Sequence, residues 1–435
     1  MDLNSPLILG LVIIGFAVVA RRLDSTPVSG PMVFVGAGLL LGSQGLGWLE
    51  ADLDNEAITV LVEATLAIVL FADASRVDLR NLRVHWALPT RLLAIGLPLA
   101  IGFGTLAALG ILGGMPWEGA LLVGIMLAPT DAALGQAVVT DRRVPVWVRQ
   151  GLNVESGLND GLAFPIFETA ITIALVGLTG VGTAEATWTL GREITVGAIA
   201  GVAVGLASGP LLSWSRRSGW TGRHWHGLAT VGVTAAAFGL ATALSGNEFI
   251  AAFAAGLAYR PSVDLPLADD VSHDLAELFT MLAFIVFGAL VLGPGLGDLD
   301  WRMVLYALVS LAVVRGLAVA ISLVRSHSKW QTVAFLGWFG PRGIASVLYS
   351  FLLLEDAGEL SIAPKVVDVV TLTVALSVVL HGMTASGLAA AYGRWFADME
   401  EEHDEMVESS DAFEHPLGRS ADSAEVAGDH RDVHG

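Results

Sequence analysis

From residue 4 to residue 392 the chain runs through about thirteen apolar stretches, most of them near the length that crosses a bilayer as a helix. They fall at about 4–20, 29–47, 57–75, 87–111, 117–139, 150–177, 192–214, 226–244, 247–260, 272–293, 302–324, 330–354 and 364–392. The ninth is short, which suits a tilted, broken or partly re-entrant segment. So many weakly charged runs exceed what one water-soluble core can bury, and lipid is their natural solvent. Only 15% of the 435 residues are charged, against roughly 25% in a typical soluble protein. The expected fold class is an all-α polytopic membrane protein, with residues 1–395 as the transmembrane domain.

Basic residues sort by loop. Arg21 and Arg22 follow the first span, Arg76, Arg80, Arg83 and Arg91 the third, and Arg142, Arg143 and Arg149 the fifth. Arg216, Arg217 and Arg223 follow the seventh, Arg260 the ninth, and Arg325 and Lys329 the eleventh. The loops of the other parity hold Arg192, Arg302 and Lys365 and are rich in acids instead, among them Glu50, Asp52, Asp54, Asp298, Asp300, Glu355 and Asp356. This alternation supports the span count and sets the N-terminus outside and the C-terminus in the cytoplasm of a cell (plasma or inner) membrane. The first span has no basic residue before it and no convincing small-residue cleavage site, so it reads as a mature span.

Formal net charge is −19, much of it in residues 396–435, which have the composition of a disordered acidic cytoplasmic tail. That tail reads either as solvated chain or as a pH- or cation-sensing segment. The charge rules out a broadly basic nucleic-acid binder. With no cysteine, disulfides and thiolate metal sites are excluded.

Spans five and twelve are interrupted, by Ala128-Pro129-Thr130-Asp131 and by Gly340-Pro341-Arg342-Gly343. Proline breaks the helical ladder, and backbone groups freed inside a membrane must find protein partners or line a cavity. Matching breaks suggest two inverted six-helix repeats around a linking seventh span, and point to the substrate site.

Ionisable residues gather there. Each costs at least about 2.5–3.5 kcal/mol deep in a span, so each has a partner or a function. Asp160 lies about 15 Å into span six, near the midplane. Ser156 shares its helix face, and Glu155 shares one with Asn159. Oxygen-rich clusters suit hard cations such as sodium, and a carboxylate moved into low dielectric holds a proton more readily. One carboxylate that binds either a cation or a proton is a minimal exchanger, and Asp160 fits that role. Asp131 reads as a second ligand or as an acceptor for amides freed by the Pro129 break. Ser156 and Thr130 read as added oxygens or as backbone partners. Glu155 and Arg342 read as a structural ion pair joining spans six and twelve. Arg315 reads as a neutralising or sensing residue, and Asn159 as a hydrogen-bond partner of a broken helix. Asp73 lines a cytoplasmic funnel or is an interfacial charge. Glu168 has no firm role, and His381 reads as a satisfied helix residue.

Leu127-Ala128-Pro129-Thr130-Asp131 resembles the Ser/Ala-Pro-Thr-Asp-Pro signature of monovalent cation/proton antiporters of the sodium/hydrogen exchanger type (NhaP-like). Asn153-Val154-Glu155-Ser156-Gly157-Leu158-Asn159-Asp160-Gly161 resembles that family's Glu-Ser-x-x-Asn-Asp signature, and Gly340-Pro341-Arg342-Gly343 its Gly-x-Arg-Gly element. Leu70-Phe71-Ala72-Asp73 falls where the family has Leu-Phe-Phe-Glu-Gly. The resemblance covers about residues 5–395 and excludes the tail. It implies a thirteen-span fold, a homodimer, and alternating access by movement of a core bundle against a dimerisation bundle. It makes Asp160 the ion- and proton-binding carboxylate, with Thr130, Asp131 and Ser156 around a sodium ion and Asp73 nearby. Asn159 before Asp160 implies one-for-one, electroneutral exchange, and Glu155 with Arg342 the structural pair. No cofactor is implied beyond the transported Na+ and H+. Two departures bear on selectivity: Ala132 replaces a proline, and Asp73-Ala74 replaces Glu-Gly.

Potassium/proton exchange is the alternative within transport, since both ions take oxygen ligands. A passive channel fits less well, because broken helices with midplane carboxylates suit occlusion. An intramembrane aspartyl protease built on Asp131 and Asp160 is a distant alternative. Neither aspartate sits in a Gly-x-Gly-Asp context, no Pro-Ala-Leu element accompanies them, and no His-Glu-x-x-His motif points to a zinc enzyme.

Overall fold

The computed structural model describes residues 5–402, apart from 24–25, 50–55, 78–86, 132–133, 180–182, 260–270, 296, 298, 327 and 359. Eight described helices are long and apolar enough to cross a membrane. Five shorter apolar helices, Gly30–Leu41, Trp117–Met126, Gly227–Ala243, Glu248–Ala258 and Ile344–Glu355, fall on the remaining expected spans. The basic residues Arg80, Arg83 and Arg260, the acids Glu50, Asp52, Asp54 and Asp298, the departure Ala132 and the tail from residue 403 lie outside the described residues.

In chain order the helices are α1 (Ser5–Leu23), α2 (Gly30–Leu41), α3 (Glu56–Arg76), α4 (Ala87–Ile111) and α5 (Trp117–Met126). A short α6 (Gln136–Val139) leads to α7 (Val146–Thr179), α8 (Thr183–Arg217), α9 (Arg223–Ala243) and α10 (Glu248–Ala258). Then come α11 (Val271–Val286), α12 (Trp301–Ser322), α13 (Trp330–Trp338), α14 (Ile344–Ala357) and α15 (Ala363–Glu402). Expected span five is thus α5, an unwound stretch and α6, and expected span twelve is α13, an unwound stretch and α14. The ninth span is short but continuous: Asn247 caps α10 by accepting from the amides of Phe249 and Ile250 at 3.1 and 3.0 Å.

Small residues set the close packing. On α8, Gly197, Gly201 and Gly205 recur every fourth residue, and a Cβ at each would overlap the carbonyl oxygens of Asn247, Ala251 and Ala255. Backbone-to-backbone contact of this kind is how membrane helices associate without a hydrophobic driving force between them. It lets α10 lie buried between α8 and α3. At the other extreme, α1 keeps Leu7, Leu11, Ile14 and Val18 exposed and meets α2 through Phe16 and Phe34, ring centroids 4.6 Å apart.

Among the described residues, wide π-helical turns interrupt three spans, at Leu92–Gly96, Phe287–Leu292 and Ser310–Val314. The first two lie just before Pro98 and Pro294, whose missing amides disturb the regular ladder. The third directly precedes Arg315, a buried cation of the site.

Candidate ion site at two crossed helix breaks

The helical pattern stops at Met126 in α5 and at Trp338 in α13, and the two unwound segments cross. Asp131 N donates to Pro341 O at 2.8 Å, and Ser346 Oγ donates to Met126 O at 2.6 Å. A break leaves carbonyls without partners at one helix end and amides at the next helix start, with a partial charge at each. Side chains of opposite charge answer both. Arg342 Nη1 donates to Ala128 O and Pro129 O at 2.6 and 3.1 Å, beside the negative end of α5. Asp131 Oδ2 accepts from Ile344 N at 2.9 Å, at the positive start of α14. Asp131 Oδ1 accepts from Leu134 N at 3.4 Å. The two glycines of Gly-Pro-Arg-Gly make room for charge: a Cβ at Gly343 would overlap the Asp131 carboxylate, and one at Gly340 the Arg315 guanidinium.

The expected ion pair of Glu155 with Arg342 is corrected here. Glu155 on α7 is paired with Arg315 on α12 by two parallel bonds, Nη1 to Oε1 and Nη2 to Oε2, the latter 2.8 Å. Both side chains are buried. The fork of a guanidinium matches a carboxylate when the two lie in one plane, and Arg315 follows the wide turn. Arg342, committed to the carbonyls of the opposite break, is not available for that geometry. Spacing along the chain carried no information to choose between the two arginines.

One turn of α7 carries the rest. Ser156 Oγ donates to Thr130 O at 2.6 Å, and Asn159 Nδ2 donates to Thr130 Oγ1 at 2.7 Å. Asn159 thus holds the broken segment. Thr130, Asp131 and Ser156 share a cavity of about 20 Å³ with Gly135, Val138, Val139, Leu152, Phe339 and Pro341. That is room for about one water-sized particle. Asp160 follows Ser156 by one turn and is buried, with its Oδ1 free of any hydrogen-bond partner. The charged groups that act on it are Asp73 and Asp131, both acidic. Asp73 is half-buried on α3, and its backbone carbonyl faces Gly157.

Other groups here carry no signal in the sequence beyond helical position. Tyr349 Oη donates to Asp160 O at 2.8 Å, and its ring stacks on Phe167 at 4.7 Å and 11°. Phe164 and Phe249 extend this aromatic layer, 5.1 Å apart. The layer lies further along α7 than Asp160, while the small cavity lies on the opposite side, toward α6. On α15, Ser377 Oγ accepts from Arg342 N at 2.7 Å, and His381 places Nε2 2.9 Å from Trp338 O and Nδ1 3.0 Å from Ser377 O. His381 is a satisfied helix residue that, with Ser377, holds both rims of the second break.

Residues 8–391 match the family model for the transmembrane region of sodium/hydrogen exchangers. The chain belongs to the sodium/hydrogen exchanger family. Among its relatives is the K(+)/H(+) antiporter NhaP of Alkalimonas amylolytica, 30% identical over 339 residues, covering 76% of this chain and 57% of the relative. The Na(+)/H(+) antiporter 2 of Zygosaccharomyces rouxii is 25% identical over 339 residues, covering 71% of this chain and 41% of the relative. This exchanger-family chain therefore spans about half the length of those relatives. The structure of the sodium proton antiporter MjNhaP1 from Methanocaldococcus jannaschii at pH 8 superposes with a TM-score of 0.72 at 20% identity, covering 88% of this chain and 97% of that one. The exchanger-family fold, an all-helical membrane protein with paired broken helices, is the one expected from the sequence.

Proposed function

We propose that the chain is a secondary transporter that exchanges a monovalent cation for a proton across the cell membrane, with the two competing for the Asp160 carboxylate. The observation that carries this reading is the charge balance of the buried cluster. Glu155 is matched by Arg315, and Asp131 and Arg342 each cap a broken helix end beside the other. Asp160 has no cationic group among those that act on it and keeps one oxygen unpartnered. A buried lone carboxylate is tolerated when it is protonated or holds a cation, and these two states exclude each other. Ser156, one turn away, and Thr130, to which it is hydrogen-bonded, supply further oxygens for a partly desolvated alkali ion. The aromatic layer on one side of Asp160 and the cavity on the other suit a site open to one face at a time.

Sodium is the cation we assign, with one-for-one exchange following from the neutral Asn159 beside Asp160. Potassium is the second reading, favoured by the K(+)/H(+) antiporter among the relatives. A second copy of the chain is the partner this reading includes, and the exposed apolar face of α1 is available to it or to lipid.

The test uses the full chain in proteoliposomes with a trapped pH dye. Sodium, lithium and potassium pulses are compared with the membrane potential free and clamped. Sodium-driven proton efflux that ignores the clamp supports the assignment, and a response to potassium alone transfers it to the second reading. Asp160→Asn removes exchange while the protein still reaches the membrane. Sodium-driven proton flux retained in that variant overturns the role of Asp160.

A further inference from the structure

A cavity of about 510 Å³ lies away from the ion site, between α12 and α13. Its walls are small or apolar: Ala312 and Gly316 on α12, Val333, Ala334 and Gly337 on α13, with Trp338. The two backbones approach closely there, since a Cβ on Gly337 would lie 3.2 Å from Gly316 Cα. On the same outer face of α12, Val313, Leu317 and Ile321 are 49%, 48% and 43% exposed, which marks the cleft as opening toward the acyl chains of the bilayer.

One end of the cleft is polar. Ser328 and Trp330 line it, and Trp330 is 75% exposed, as suits an indole at the membrane–water boundary. Lys329 lies between them in the chain, and Arg325, in the turn that ends α12, has a left-handed conformation at φ 63°. Lys329 Nζ meets Met399 Sδ at 3.0 Å, and among the described residues neither Arg325 nor Lys329 is in an ion pair. A third cation, Arg91 of α4, donates through Nη1 to Val324 O at 2.9 Å and fixes the end of α12 beside this turn. These residues belong to the set of basic loops that the alternation of Lys and Arg places in the cytoplasm.

We infer that the cleft between α12 and α13 is a binding site for one anionic phospholipid of the cytoplasmic leaflet, with an acyl chain along Gly316 and Gly337 and the phosphate toward the cations Arg325 and Lys329. Charge complementarity selects this occupant: basic pockets between transmembrane helices on the cytoplasmic side hold acidic headgroups, and each nearby cation contributes about 1 kcal/mol, or roughly fivefold in affinity. A soluble anion would have no use for the apolar length of the cleft. The site touches the ion site through both walls, since α12 carries Arg315 and α13 ends at the second break.

Native mass spectrometry of the full chain in detergent tests this with phosphatidylglycerol, phosphatidylethanolamine and free glycerol phosphate, and reads no transport. Phosphatidylglycerol binds tighter than phosphatidylethanolamine, and Arg325→Gln with Lys329→Gln removes that preference. Gly316→Leu weakens both lipids, because a Cβ at Gly316 meets open space and the larger side chain fills the cleft without displacing neighbours. Equal binding of the two lipids, a preference surviving the loss of both charges, or displacement by glycerol phosphate alone overturns the proposal. Should Gly316→Leu fail to fold, the charge variant still decides.

Discussion

Arg315 and Arg342 show how one residue type performs two jobs within one buried cluster. Arg315 neutralises Glu155 by a bidentate pair, whereas Arg342 ties down the carbonyls of a broken helix. The consequences of removal differ. Arg315→Ala strands a buried carboxylate, at a cost of about 3–5 kcal/mol. Its melting temperature in detergent falls sharply, and Glu155→Gln combined with Arg315→Gln recovers most of the loss. A double variant no more stable than Arg315→Ala would contradict the pairing. Arg342→Ala is not rescued by Glu155→Gln, because what it leaves unpaired are Ala128 O and Pro129 O.

The element that matters most is the crossing of the two breaks, because neither broken helix satisfies its own backbone. Asp131 acts there as the cap of α14. Asp131→Asn keeps a carbonyl oxygen for Ile344 N and retains most of the stability, while Asp131→Ala lowers it by about 0.5–2 kcal/mol. Thermal melts of the two variants separate this structural role from ion binding: if transport fails in a fully stable Asp131→Asn protein, the charge itself is needed. α15 supports the crossing from behind. Ser377→Ala frees the Arg342 amide and loosens the second break, seen as faster hydrogen exchange over residues 339–344 with little change in α8 or α10.

Across the whole molecule, the tightest helix packing and the candidate ion site lie in different regions. The tight stripe of α8 against α10 has no charged residue and no tolerance for volume. Gly201→Leu therefore reduces folded protein in the membrane, measured by size-exclusion of the detergent extract; a normal yield would mean the helices can part there at low cost. The acidic segment from residue 403 lies outside the described residues. A chain ending at residue 402 keeps exchange activity, with at most a shifted pH profile; loss of all activity would show that the segment acts directly.

Much was legible before any coordinates. Apolar length marks where the spans lie, because the cost of burying charge in lipid is large and local in sequence. Proline in two apolar runs marks the breaks for the same reason: it removes a donor wherever it stands. The charged residues gathered at the breaks were equally legible, since each is expensive where it lies. Which of them meet was not. Glu155 and Arg315 are 160 residues apart and Arg342 is no nearer in any useful sense, so only the packing of α12 against α7 decides the pair. The aromatic layer around Tyr349 and the Ser377–His381 brace likewise arise from how helices rotate about their axes, and an all-apolar helix face leaves that rotation unspecified until its neighbours are in place.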